Sequence, residues 1–350
     1  MSPETKTRFA LIGCGGIHSA HAMAIKAIEE AELVVVCDVI EQRMKKSVET
    51  YGCEGCLDYH DLLSRKDIDA FDVVTPSGIH AAIGIDAARA GKHVFVTKPI
   101  DVALPAIDAL IEECATSRVA LAVVHQFRSY PSYLALKKAV DEGRLGKLLL
   151  AVNMLRWYRS QAYFDDSGWR GTWKMDGGGA MMNQNVHYVD LLQWIVGDVE
   201  SVTAHTATRT HKIETEDVCT VSLRFRNGCL GAIAASTSTY KGLPATLEVH
   251  GDKGNVSIAG DRILSWQVEG EAEPPSEEGP SVTAVADPQA GMSEGVKAHV
   301  AQIRSFISAI EGKGQPVVSG PEARKAVEIN LAAYRSSQTG RAVHLPLSPI

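Results

Sequence analysis

Lys98, Asn183, His187 and Asp190 are residues whose types and spacing could move a proton. Oxidation of a secondary alcohol needs a base for the O–H proton and an acceptor for the hydride. An imidazole ordinarily titrates near neutrality, so His187 would suit the first task. Lys98 could hydrogen-bond the same oxygen and stabilise developing alkoxide charge. It could itself be the base if burial lowered its pKa. Both alternatives stay open at this point. Asn183 and His187 are four apart and Asp190 follows three later, so a regular helix puts all three on one face. Met182, Val186, Val189 and Val196 would supply its buried side. A glycine run at 177–179 precedes it and permits close backbone approach.

The hydride acceptor is implied by GCGGIHSAH, from Gly13 to His21, which follows an apolar run at 9–12. Gly13, Gly15 and Gly16 allow a tight turn and a backbone that approaches phosphates. Ile17 and His18 open the next helix, whose free N–H groups and positive dipole end suit a pyrophosphate. His18 stands where the third glycine of G-x-G-x-x-G would be. Asp38 ends the next strand-like run, 25 residues after Gly13. A carboxylate there accepts from both adenine-ribose hydroxyls and repels a 2′-phosphate, which favours NAD over NADP. Lys98 precedes Pro99 at the exit of a later strand, on the edge where ligands of such sheets bind. Farther along, Arg159 and Arg170 could hold a carboxylate or phosphate, and Tyr163, Trp169 and Trp173 could stack on a sugar ring or base. A packed aromatic loop with solvated arginines accounts for them equally well. His125 and Arg128 follow the fifth strand and could line the same cleft.

Strand-like runs at 9–12, 33–37, 71–74, 94–96 and 121–124 alternate with helix-like stretches such as 79–90 and 103–117. That pattern predicts an α/β fold whose first part is a doubly wound parallel sheet, covered on both faces. After about residue 126 the pattern changes to a strand at 147–157, a Trp- and Arg-rich loop, an amphipathic helix at 179–196 and successive strands to about 268. From Val218 to Phe225 apolar and polar residues alternate, which predicts an open, mostly antiparallel sheet with one buried face. Its other face, if partly apolar, could meet another subunit. A loop at 269–291 and helices near 296–311 and 321–337 close the chain. The expected domains are 1–125 for the cofactor and 126–350 for substrate and oligomerisation, with a C-terminal helix able to pack back on the first.

The chain has 350 residues, 45% apolar, with net charge −7 and seven cysteines. No long uncharged apolar run predicts a membrane span, and the polar N-terminus lacks a signal-peptide pattern, so a cytoplasmic location is expected. No basic block points to nucleic acid. The odd cysteine count does not suggest a disulfide framework, and Cys53 and Cys56 have no second ligand pair nearby, so no metal site is expected.

GCGGIHSAH, TPSGIHAAIGIDAARAGKHVFVTKPI and GGGAMMNQNVHYVDLLQW resemble the glucose–fructose oxidoreductase/inositol dehydrogenase/rhizopine-catabolism (Gfo/Idh/MocA) family over nearly the whole chain. The resemblance implies a Rossmann domain followed by an open-sheet α+β domain, assembled as a homodimer or homotetramer. It implies that Lys98 is the family's Glu-Lys-Pro lysine, that His187 is the active-site histidine, and that Thr75, Pro76 and His80 lie near the cofactor. Thr97 replaces the family's glutamate, and Asn183 replaces the aspartate of the inositol dehydrogenase branch. The Asn-Gln-x-x-His pattern and RWYRSQAYFDDSGWRGTW look more like the branch with UDP-N-acetylglucosaminuronate 3-dehydrogenases. The expected activity is reversible, NAD-linked oxidation of a secondary hydroxyl, at C3, of a sugar or nucleotide-sugar. Two alternatives are an NAD-recycling lyase or hydrolase acting through a transient 3-keto sugar, and a non-catalytic NAD- and sugar-binding regulator.

Overall fold

The computed structural model describes residues 6–271 and 293–347. The chain forms two compact units that part between Gln126 and Phe127 and again between Arg324 and Lys325, the stretch ahead of Arg324 belonging with the first. The loop expected at 269–291 lies almost wholly outside the described residues.

The first unit runs β1 (Thr7–Ile12), α1 (His18–Lys26), β2 (Ala31–Cys37), α2 (Glu41–Tyr51), β3 (Glu54–Cys56), α3 (His60–Leu63), β4 (Ala70–Val73), α4 (His80–Arg89), β5 (His93–Thr97), α5 (Leu104–Thr116) and β6 (Leu121–Val124). The second contains α6 (Pro131–Asp141), β7 (Leu148–Arg156), α7 (Gln161–Asp165), α8 (Val186–Val196), β8 (Val199–Ala207), β9 (Val218–Phe225), β10 (Leu230–Ser236), β11 (Thr246–Gly251), β12 (Gly254–Ala259) and β13 (Arg262–Val268). The chain then adds α9 (Glu294–Ile310) to the first unit, and continues through α10 (Gly320–Thr339) to β14 (Val343–His344).

The first sheet is parallel throughout, in the order β3-β2-β1-β4-β5-β6. The expected doubly wound Rossmann sheet is therefore present. Its sixth strand, β3, is an addition: Glu54, Gly55 and Cys56 offer no apolar run, so pairing with β2 alone creates it. The central strands are buried on both faces, as their near-continuous apolar sequences require. Strand order reverses beside β1, where Ile12 pairs with both Cys37 and Val73. Gly13, Asp38 and Val74 consequently leave the sheet at one level, at the point where such sheets bind ligands. Helix α9 packs on α1, and its Phe306 ring lies 5.0 Å from Phe95 and 6.3 Å from Phe9. Burying one such ring contributes about 2–3 kcal/mol.

The second sheet has the order β13-β12-β11-β7-β10-β9-β8-β14 and is antiparallel except for the pair β7–β10. The alternation read from Val218 to Phe225 is its cause: Cys219, Val221, Leu223 and Phe225 are buried, and Thr220, Ser222 and Arg224 exposed. Helix α8 packs against β7 and β11 and is buried around almost its whole circumference. The opposite face carries Leu150, Val152 and Met154 in register with Leu230, Ala232 and Ala234.

The helix expected over 179–196 is not continuous. Residues Ala180–Gln184 form a π-helical turn, and α8 begins only at Val186. The Asn185 N–H reaches back to the Ala180 carbonyl at 2.9 Å, one residue farther than an α-helix would. Asn183 therefore lies outside the α-helix of His187 and Asp190, and the expected single face is corrected.

Candidate active site

Each unit carries its own set of polar groups. In the first, Gly13 adopts φ 107°, and a Cβ there would lie 2.9 Å from the Val74 carbonyl oxygen, so only glycine fits between β1 and β4. A Cβ at Gly15 would meet nothing within 4 Å, which leaves the loop open for a ligand. Gly16 and Ile17 are exposed, and α1 starts without a side-chain cap or an acidic residue in its first turn. Its free N–H groups suit an anion. The His18 Nδ1 donates to the Gly15 carbonyl at 2.6 Å, and burial lowers the pKa of the ring, so the third-glycine position holds a neutral turn-closing histidine. Asp38 takes the Cys14 N–H at 2.7 Å and the Ile40 N–H at 2.8 Å. It is half-buried and, as a carboxylate, has lone pairs left for ribose hydroxyls. Loop, helix start and acid together fit a dinucleotide.

Thr75 and Pro76 are half-buried just beyond β4. Lys98 is half-buried just beyond β5, and its bond to Pro99 is cis. His80 is 0% exposed, with Nε2 2.8 Å from the Thr75 carbonyl and Nδ1 2.8 Å from the Pro99 carbonyl. Burial, foremost, and the nearby Lys98 charge lower its pKa. A neutral ring donates through only one nitrogen. His80, expected near the cofactor, thus lies between the exits of β4 and β5 and donates to one of these two carbonyls. His125, expected to meet substrate, is 1% exposed at the end of β6, where its carbonyl accepts from Gln302.

In the second unit, His187 sits in the first turn of α8, 6% exposed, with its ring 4.7 Å from that of Phe127. Asn183 is half-buried on the π turn and donates to Asp176. Gln184 joins this turn to the Arg- and Trp-rich loop. Its Nε2 donates to the Tyr163 hydroxyl at 3.0 Å and to Asn183 Oδ1 at 2.7 Å, while its Oε1 accepts from Arg159 at 2.8 Å. Two guanidinium groups lie over the Tyr163 ring, Arg170 at 4.1 Å and Arg159 at 5.2 Å, and Arg170 also lies 5.6 Å from the Trp169 ring. Stacking on aromatic faces leaves guanidinium edges available for anions. The structure thus brings Arg159, Tyr163, Trp169, Arg170 and Asn183 into one connected cluster.

Arg128 and Asp190, both expected to contact substrate, pair with each other. Their side chains are 2% and 1% exposed and form a two-pronged ion pair at 2.7 and 2.6 Å, with Trp194 5.1 Å from the guanidinium. The pair fastens α8 to the segment after Gln126.

Sequence reasoning missed Gln184, although it adjoins Asn183 and is polar where a helix would be buried. It also missed Asp176 and Glu216, which carried no motif signal. Among the described residues no three His, Cys, Asp or Glu side chains gather to hold a metal ion.

Residues 7–125 match the family model for the oxidoreductase family with an NAD-binding Rossmann fold, and residues 133–257 match the GFO/IDH/MocA C-terminal domain. The fold is similar to that of the WlbA dehydrogenase from Bordetella pertussis, crystallised with NADH and UDP-GlcNAcA. That chain is 34% identical, with TM-score 0.87, covering 98% of this chain and 100% of the other. It is equally similar to WlbA from Chromobacterium violaceum, crystallised with the same two ligands, at 35% identity, TM-score 0.87, and 100% and 98% coverage. An inositol 2-dehydrogenase of Rhizobium meliloti is 28% identical over 97% of this chain and 99% of its own. With both halves matched and the cradle for the dinucleotide in place, the chain belongs to the Gfo/Idh/MocA family of NAD-dependent oxidoreductases.

Proposed function

We propose that the protein oxidises the C3 hydroxyl of a sugar carried on a nucleotide, of the kind represented by UDP-GlcNAcA. The observation that carries this reading is the Arg159–Tyr163–Arg170 stack, hydrogen-bonded through Gln184 to the turn that precedes His187. Two guanidinium groups on one aromatic ring suit an anionic, ring-bearing ligand. Support comes also from the two WlbA chains, which are similar over the full length and were crystallised with such a nucleotide-sugar.

NAD would be held by Gly13, Gly15, Gly16, Ile17 and His18 at the pyrophosphate and by Asp38 at the adenine ribose, with Thr75 and Pro76 beyond β4. When bound, its nicotinamide accepts the hydride from the alcohol carbon. The chain's own residues handle the proton. His187 is the candidate to take the O–H proton, which suits an imidazole near neutral pH, and Lys98 is the candidate to stabilise alkoxide charge or to act as the base itself. Asn183 orients the sugar, and Arg159 and Arg170 hold its anionic groups.

The apolar stripe on the outer face of the second sheet is where we place contact with another copy of the chain, giving a homodimer or homotetramer. No helix among the described residues is long and apolar enough to cross a membrane.

The test compares UDP-GlcNAcA with UDP-GlcNAc, which lacks the uronate carboxylate. Losing a charge-assisted pair costs about 2–5 kcal/mol, so kcat/KM should fall at least about thirtyfold. Equal use of both, or preference for a free sugar, contradicts the reading.

A further inference from the structure

The second unit buries one carboxylate that takes no part in the chemistry above. Glu216 is 3% exposed and lies just ahead of β9. Its side chain accepts the Met181 N–H at 2.7 Å, the Gly179 N–H at 3.0 Å and the Tyr334 hydroxyl at 3.1 Å. Its main-chain carbonyl accepts the Ala180 N–H at 3.0 Å. One residue therefore answers three consecutive N–H groups, at a helix start where such groups have no internal partner.

The glycine run is shaped by the same contacts. A Cβ at Gly179 would lie 1.8 Å from the Glu216 carbonyl oxygen, and one at Gly178 would lie 2.0 Å from the Tyr334 hydroxyl. The close approach that these glycines permit is thus made by Glu216 and Tyr334. The turn they hold is the π turn of Asn183 and Gln184, and Gln184 in turn holds Arg159.

We propose that Glu216 is a positioning residue for the reaction: as common acceptor for Gly179, Ala180 and Met181, it fixes the π turn and so sets Asn183 and Gln184 ahead of His187. This rests on the reading of the second unit as the part that handles substrate. Its neighbours add no competing charge. Burial raises the Tyr334 and Cys219 pKa values far above neutrality, and Asp217 turns its oxygens toward the N–H groups of Arg209, Thr210 and His211. Burial pushes the Glu216 carboxyl itself up to about 7, against the pull of the Met181 and Gly179 N–H groups.

Amide hydrogen exchange of the full-length protein, without substrate, reads the clamp directly. Glu216→Gln keeps the shape but turns an NH2 toward a main-chain N–H, and Tyr334→Phe removes one donor only. Exchange at 179–185 should quicken at least about tenfold in Glu216→Gln and about threefold in Tyr334→Phe, with other peptides of the second unit unchanged. In parallel, kcat should fall at least about tenfold while KM for NAD stays within about twofold. Unchanged exchange at 179–185 overturns the proposal, as does faster exchange with kcat at the wild-type level. Should Glu216→Gln unfold, the Tyr334→Phe exchange alone decides. Because exchange needs no sugar, failure to turn over UDP-GlcNAcA would count against the proposed function and not against the clamp.

Discussion

At the residue scale, chemistry and structure must be told apart for each polar side chain. Lys98 and His187 are the two residues proposed to handle the proton. Lys98→Met and His187→Gln should each lower kcat at least about a hundredfold, with circular dichroism unchanged; normal turnover in either would remove that residue from the mechanism. The Arg128–Asp190 pair is a stability feature. Arg128→Met removes a two-pronged partner from a buried carboxylate and should cost about 3–5 kcal/mol in chemical denaturation, while adding Asp190→Leu should restore most of it. Equal stability of the single variant and wild type would mean the pair is not buried as described. Gly13 and Asp38 were legible in the sequence because their spacing after a strand has one common physical use. The Arg128–Asp190 pair was not, since 62 residues separate partners that only the fold unites. Glu216 was equally silent, a single acid ahead of a strand.

At the element scale, α9 carries a buried histidine that links its packing to pH. His299 on α9 is 3% exposed, its ring lies 4.8 Å from His21 on α1, and its Nδ1 donates to the Gly295 carbonyl at 2.6 Å. Burial, with the neighbouring His21, lowers its pKa from 6.5 to about 3. The folded state thus binds fewer protons than the unfolded chain between those values. Its contribution to stability is present above pH 6.5 and is lost as pH falls toward 3. Thermal unfolding at pH 7.5 and 5.5 should show a drop in Tm that is smaller in His299→Leu. The same drop in both would assign the acid sensitivity elsewhere. Apolar periodicity disclosed the long strands and α9. It could not disclose β3, which has no apolar residues of its own beyond a cysteine, nor the π turn, whose form is imposed by Glu216 from a distant part of the chain.

At the scale of the whole molecule, two matched units account for the activity class, and the sheet face is where contact with another copy is proposed. Leu150, Leu230 and Ala232 are exposed beside half-buried Val152, Met154 and Ala234. Such a stripe is costly to leave in water. Ala232→Glu should shift the protein toward monomer in light scattering after size exclusion, with NAD affinity unchanged; wild-type protein that is already monomeric would exclude the assembly. The α/β architecture, a parallel sheet followed by a mostly antiparallel one, was legible from where strand patterns change near residue 126. The sugar was not, because the arginines and aromatics of the loop at 156–173 suggest a ligand only once they are stacked. The most direct test follows the hydride itself. UDP-GlcNAcA carrying deuterium at C3 is incubated with the protein and NAD, and the reduced cofactor is analysed by mass spectrometry. The account predicts NADH one mass unit heavier and a 3-keto sugar product. Unlabelled NADH, or no reduction at all, would contradict it.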